Sequence, residues 1–147
     1  MKKKAIIISI KGIKISKNEK KLLEKEKPWG LILFNRNIKS LNQVKKLIQD
    51  IRKISKDRKF PIMIDEEGGK VSRLKNVIKH TSTQKIFGDI FESSPIFSLK
   101  IYKDYIDSLC LVLKKIGINI NTVPVLDVLQ KQTNSIIGDR SFSKNPL

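Results

Sequence analysis

The chain has 147 residues, 39% of them hydrophobic, and its 31 lysines and arginines against 14 acids give a formal net charge of +17. That length suits one domain, residues 1–147, and a single cysteine, Cys110, excludes an intrachain disulfide. No apolar run approaches the roughly 18 residues of a membrane span, so a soluble, cytoplasmic protein is expected.

A balance this basic first suggests a polyanion partner. The charge is nearly all lysine, however; the arginines are Arg36, Arg52, Arg58, Arg73 and Arg140. Lysine spread along a chain rich in isoleucine and asparagine follows AT-rich coding, and no nucleic-acid motif accompanies it. Nucleic acid is therefore not the expected partner. An arginine kept where lysine is the default marks a position that uses the planar guanidinium fork.

In chain order, Met1 to Lys4 precede an apolar strand, Ala5 to Ile10. The run is too short for a secretory leader and has no small-residue cleavage site. Ser16 and Glu19 form a capping box that opens a short helix through Leu22 and Leu23, which Pro28 is expected to close. Gly30 to Phe34 is a second, wholly apolar strand ending at Asn35-Arg36-Asn37. Ser40 and Gln43 form another capping box, followed by Val44, Leu47, Ile48 and Ile51 at helical spacing. Pro61 to Ile64 is the third strand. Residues 74–98 fit no regular unit and are expected to form a long loop with a short helix. From Ile101 to Gly117 the pattern is helical, with Tyr102, Ile106, Leu109, Leu113 and Ile116 on one face. Cys110 falls in this helix as a small buried hydrophobe. Ile118 to Val128 supplies the fourth strand.

Continuous apolar strands separated by amphipathic helices predict an α/β fold with a parallel sheet covered by helices. Polar clusters follow the strands at Asn35-Arg36-Asn37, Asp65-Glu66-Glu67, Asp127 and Asp139-Arg140. Ligands of parallel α/β folds sit at these C-terminal strand ends. Asp65 is the leading candidate, because the sheet fixes it and an ionised carboxylate accepts several hydroxyl hydrogen bonds. Its structural alternative is pairing with Arg73 or Lys70. Arg140 has a similar alternative in Asp139. His80 lies in the irregular segment and reads as a solvated loop histidine. Gly68-Gly69 permits a tight turn but matches neither a dinucleotide fingerprint nor a phosphate loop. No cofactor is expected. One acidic cluster without converging ligands predicts no metal site.

Taken together, Gly30-Leu-Ile-Leu-Phe-Asn-Arg-Asn37, Ile64-Asp-Glu-Glu-Gly-Gly-Lys-Val-Ser-Arg73, Gly117-Ile-Asn119, Pro124-Val-Leu-Asp-Val128 and Ile137-Gly-Asp-Arg-Ser-Phe142 resemble the N-terminal part of family 3 glycoside hydrolases. The likeness is to the bacterial β-N-acetylhexosaminidases. It implies a truncated (β/α)8 TIM barrel of about four β/α units. It also implies retaining hydrolysis of terminal N-acetylglucosamine in peptidoglycan recycling, with Asp65, Arg73 and Arg140 as substrate-binding residues. The family's nucleophile is an aspartate on a late strand. Its proton donor is a histidine paired with an aspartate on a loop beyond a Lys-His-x-Pro-Gly-His-Gly segment. None of these is in the sequence, and Lys79-His80 lacks the continuation, so no catalytic residue is assigned and the chain alone is expected to be inactive. The expected partners are an N-acetylglucosamine-containing sugar and a separately encoded C-terminal half, with another copy of the chain as a lesser alternative. Two departures stand out: Lys70 replaces a usual arginine, and Ser9 sits where an aspartate is usual.

Overall fold

The computed structural model describes residues 3–146. Four strands alternate with helices. They are β1 (Lys4–Ser9), α1 (Lys17–Glu26), β2 (Pro28–Leu33), α2 (Leu41–Ser55), β3 (Ile62–Ile64), α3 (Gln84–Ser93), α4 (Pro95–Ile116) and β4 (Ile120–Asn121). Two 3-10 turns, Asn35–Asn37 and Gly138–Arg140, follow β2 and precede the C-terminus. The sheet runs β1-β2-β3-β4, every pair parallel. This is the α/β architecture expected, in the order of a barrel wall. Among the described residues no helix is long and apolar enough to cross a membrane.

Local chemistry sets the boundaries. The Ser16 hydroxyl accepts Glu19 N at 3.2 Å, and Glu19 accepts Ser16 N at 2.8 Å. These bonds satisfy helix donors that have no intrahelical partner. Lys27, left-handed at φ 47°, ends α1. Pro28 opens β2 and does not close the helix, because a strand's first position needs no donated hydrogen bond. At α2 only half of the expected box forms. Ser40 accepts Gln43 N at 3.2 Å, but the Gln43 carbonyl takes Lys39 N at 2.8 Å. Its amide reaches Ile13 O at 2.7 Å, tying α2 to the loop after β1.

The register Leu31↔Ile62 and Leu33↔Ile64 sends alternate residues to one side. There they are buried with Val44, Leu47, Ile48 and Ile51 of α2 and Leu109, Leu113 and Ile116 of α4. The intervening row, Ile32↔Met63↔Ile120, stays partly exposed on the opposite face, and Ile7 beside Gly30 is 37% exposed. β1 and β4 are the open edges. An isolated four-strand wall leaves such a face and such edges uncovered.

Three expectations need correction. The fourth strand is two residues long, not eleven. Thr122 N adds one further bond to Ile64 O at 3.1 Å, and Pro124 has no N–H to continue the ladder. The long helix starts at Pro95, not Ile101, because proline suits the first helical turn. Cys110 is exposed, at the edge of the face of α4 that buries Leu109 and Leu113. Residues 74–83 are irregular as expected, and the helix in that segment is α3.

Candidate functional site

Asp65 is the first residue past β3, so the sheet fixes it at the C-terminal mouth. Its Oδ2 lies 3.3 Å from Arg73 Nη2, and its Oδ1 accepts the Thr122 hydroxyl at 2.6 Å. Both partners of the pair stay reachable, at 28% side-chain exposure for Arg73 and 23% for Asp65. The structural alternative of Asp65–Arg73 pairing is therefore real. It is compatible with binding, since a carboxylate has four acceptor positions and a guanidinium five donors.

Arg73 reaches Asp65 because the loop between them folds back on itself. Gly68 and Gly69 take φ 92° and 52°, and Glu67 N bonds Val71 O at 3.0 Å. A Cβ on Gly68 would lie 2.2 Å from Ser82 O, so only glycine fits. Glu66 then locks the loop's return. Its fully buried carboxylate accepts Arg73 N at 2.7 Å and Leu74 N at 2.8 Å on Oε2, and Oε1 lies 2.8 Å from His80 Nε2. His80 is thus a partner of a buried acid, only 16% exposed in its side chain, and not a solvated loop residue. Asn121 grips the same point from β4. Its Oδ1 accepts Glu66 N at 2.9 Å, and its Nδ2 donates to Glu66 O at 3.2 Å.

Arg140 comes from far along the chain and pairs with Glu67, not with Asp139. Nε and Nη2 donate to the two Glu67 oxygens at 2.7 and 3.0 Å, a bidentate fork. These bonds hold the guanidinium above its ordinary range against opposing burial, and the charges of Glu67, Asp127 and Asp65 add to the effect. Asp139 lies instead 3.7 Å from Lys70 Nζ. Asp65, Arg73 and Arg140 therefore meet at one mouth, through Asp65 and Glu67, the two acids that flank Glu66.

The turn after β2 completes this mouth. Asn35 Nδ2 donates to Arg73 O at 3.1 Å. The buried Asn37 side chain donates to Ile10 O at 3.0 Å and Gly12 O at 2.9 Å. Phe34 carries two guanidiniums against its ring, Arg36 at 4.6 Å and Arg73 at 5.6 Å. The sequence pointed to no role for Glu66, Asn121 or the Phe34–Arg36 pair, and it placed His80 in solvent. Glu66 had a signal, being the middle acid of a triplet just past a strand, where continued alternation turns its side chain away from those of Asp65 and Glu67. Nothing in the spacing signals that His80 would reach it. Among the described residues no cluster of three or more His, Cys, Asp or Glu side chains is placed to hold a metal.

The chain is similar over nearly all its length to longer proteins. A β-hexosaminidase of Nitrosomonas eutropha is 30% identical over 143 residues, which cover 96% of this chain and 40% of that protein. One from Thioalkalivibrio sulfidiphilus is 27% identical over 141 residues, again 96% and 40%. The chain thus spans about 40% of the length of the curated relatives it matches. The structure of NagZ from Neisseria gonorrhoeae in complex with N-trifluoroacetyl-D-glucosamine superimposes with TM-score 0.87 at 26% identity, covering 98% of this chain and 43% of that one. A family 3 β-N-acetylglucosaminidase from Paenibacillus gives TM-score 0.76 at 28% identity, covering 95% and 26%. The family description "Glycosyl hydrolase family 3 N terminal domain" matches residues 2–147. Four parallel strands in barrel order, with helices between them and a charged mouth at the strand ends, make up the matched region, and the chain belongs to that family.

Proposed function

We propose that these 147 residues are the sugar-binding part of a retaining β-N-acetylhexosaminidase. Asp65, Arg73 and Arg140 hold the hydroxyl groups of a terminal N-acetylglucosamine. The nucleophile and the proton donor come from residues outside this sequence, in a continuation of the chain or in a separate C-terminal half. On this reading the substrates are N-acetylglucosamine-containing fragments of peptidoglycan recycling, handled in the cytoplasm, and residues 1–147 form one half of a barrel domain.

The observation that carries this reading is the state of the acids at the mouth. Retaining hydrolysis needs one carboxylate free to attack the anomeric carbon and a second group to protonate the leaving oxygen. Asp65 is held by Arg73 and Thr122, Glu66 is buried under three partners, and Glu67 is forked to Arg140. The triplet is built to orient, not to attack. The NagZ comparison supports the ligand class, since that structure holds an N-acylated glucosamine.

The test is hydrolysis of a nitrophenyl N-acetylglucosaminide. The purified chain should release no nitrophenol. Adding the C-terminal half of a relative, expressed separately, should restore release, and Asp65→Asn should abolish the restored activity. Robust turnover by the chain alone would overturn the assignment.

A further inference from the structure

We infer that Arg36 forms a subsite for an anionic substituent, a carboxylate or a phosphate, on the sugar held by Asp65 and Arg73. This rests on the sugar-binding reading above and adds a charge preference to it.

The argument starts from charge pairing. Three arginines stand at the C-terminal mouth of the sheet. Arg73 holds Asp65 at 3.3 Å and Arg140 holds Glu67 at 2.7 Å. Arg36 holds no acid among the described residues. Its Nε donates to Ile10 O at 3.2 Å and its Nη2 to the Ser9 hydroxyl at 2.9 Å. Both acceptors are neutral, so the positive charge is uncompensated.

The group is nevertheless fixed. Two hydrogen bonds run to the end of β1 and its exit, and the guanidinium face lies 4.6 Å from the Phe34 ring. An exposed arginine ordinarily sacrifices side-chain freedom when it binds an ion. Here the backbone of the first strand and an aromatic face have already imposed much of that order. Nη1 has no hydrogen-bond partner among the described residues, and a guanidinium presents its donors as a planar fork suited to carboxylate and phosphate.

Position ties this charge to the sugar site. Arg36 and Arg73 lie against the same Phe34 ring, and Arg73 holds Asp65. A monosaccharide seated on Asp65 and Arg73 therefore has Arg36 against the aromatic ring that Arg73 shares, and on this inference an acidic substituent of that sugar sits on Arg36. Ser9 is what leaves the charge open. It occupies the position from which a carboxylate would reach Arg36, and it supplies a hydroxyl.

The experiment is a binding titration of the whole chain by NMR or calorimetry. The ligands are N-acetylglucosamine, its 6-phosphate and its 3-O-lactyl ether. At least one of the acidic sugars should bind about three- to tenfold more tightly than the neutral one, and the preference should shrink with added salt. The two acidic probes separate a phosphate from a carboxylate. Arg36→Gln should remove the preference. Ser9→Asp, which supplies an internal carboxylate, should remove it as well while neutral-sugar affinity stays at the wild-type value. Equal affinity for all three sugars, with Asp65→Asn still weakening them, overturns the anionic subsite and leaves the sugar site standing. Binding of none of the three overturns both. A preference that survives Arg36→Gln in a chain with an unchanged circular-dichroism spectrum assigns the charge elsewhere and also overturns the inference.

Discussion

Glu66, fully buried, pairs with His80 next to the half-buried pair of Asp65 and Arg73. Glu66 Oε1 lies 2.8 Å from His80 Nε2, while Oε2 takes the amide protons of Arg73 and Leu74 at 2.7 and 2.8 Å. The Asp65–Arg73 pair is thus positioned by the acid between them in the chain, whose carboxylate fixes the backbone of Arg73. Removing the carboxylate strands two amides, and a buried unsatisfied donor costs about 1–3 kcal/mol. Glu66→Ala is expected to destabilise the chain by about 3 kcal/mol. Glu66→Gln should cost about 1 kcal/mol, because its carbonyl still accepts both amides. Urea unfolding with an unchanged m-value checks both numbers. Equal cost for the two variants would mean that hydrogen bonding to Arg73 and Leu74 is not what holds the loop.

Gly88 decides where Arg140 can sit. A Cβ there would lie 1.9 Å from Phe142 O and 2.7 Å from its carbonyl carbon, so α3 carries the C-terminal segment against its own backbone. Phe142 also packs edge-on to Tyr102 at 5.3 Å, and Leu129 N bonds Ser143 O at 3.0 Å. Gly88→Ala cannot be absorbed by a rotamer change and should cost about 1–3 kcal/mol as an overpacking defect. Amide exchange at Leu129 and Ser141 should accelerate, whereas Leu33 and Ile64 in the sheet should keep their protection. Uniform acceleration across the chain would show that the segment has no separate stability.

These two sites show which parts of the structure the sequence can announce. Apolar runs such as Gly30 to Phe34 and caps such as Ser16 with Glu19 are local, so their pattern reads directly into strands and helix starts. The pairing of Asp65 with Arg73 was open to the sequence as an alternative beside Lys70, whereas Arg140 joined them only through the family resemblance. Their pairings rest on contacts across 8 and 73 positions, and spacing offered Asp139 as the structural alternative for Arg140, not Glu67. The fourth strand was overread because apolar residues after Asn121 satisfy the pattern while Pro124 denies the ladder a donor. Cys110 was misplaced because α4 is only partly covered, so an apolar-compatible position on it can face outward.

Glu19 links acid to the first helix. Burial raises its pKa, but hydrogen bonds from Lys11 N, the Ser16 hydroxyl and Ser16 N, with the Lys11 charge, outweigh that and leave it below its ordinary 4.5. A carboxyl with a depressed folded-state value stabilises fully above its unfolded value and loses that contribution as pH falls through the folded one. The stability difference between the wild type and Glu19→Gln should therefore be constant at neutral pH and shrink on acidification below 4.5. Denaturant midpoints of both proteins across the acid range measure it. A difference that grows toward low pH would contradict the capping role.

Tyr105 supplies the opposite sign at high pH. Its hydroxyl is buried with no hydrogen-bond partner among the described residues, beside Phe87 at 5.1 Å and His80 at 6.1 Å. Burial pushes its pKa up to about 12 from 10.0, and the charges of Glu66 and Tyr102 add to the shift. Because the folded value is raised, the neutral phenol's contribution is complete below the unfolded value of 10.0 and is lost as pH climbs toward about 12. Tyr105→Phe removes an unsatisfied buried hydroxyl, so at neutral pH it should be neutral or stabilising by up to about 1 kcal/mol. It should also blunt the alkaline loss of stability that the wild type shows between pH 10.0 and about 12. Thermal melts of the two proteins at pH 7 and across that alkaline window test both halves. Strong destabilisation by Tyr105→Phe at neutral pH would show that the hydroxyl has a structural partner after all.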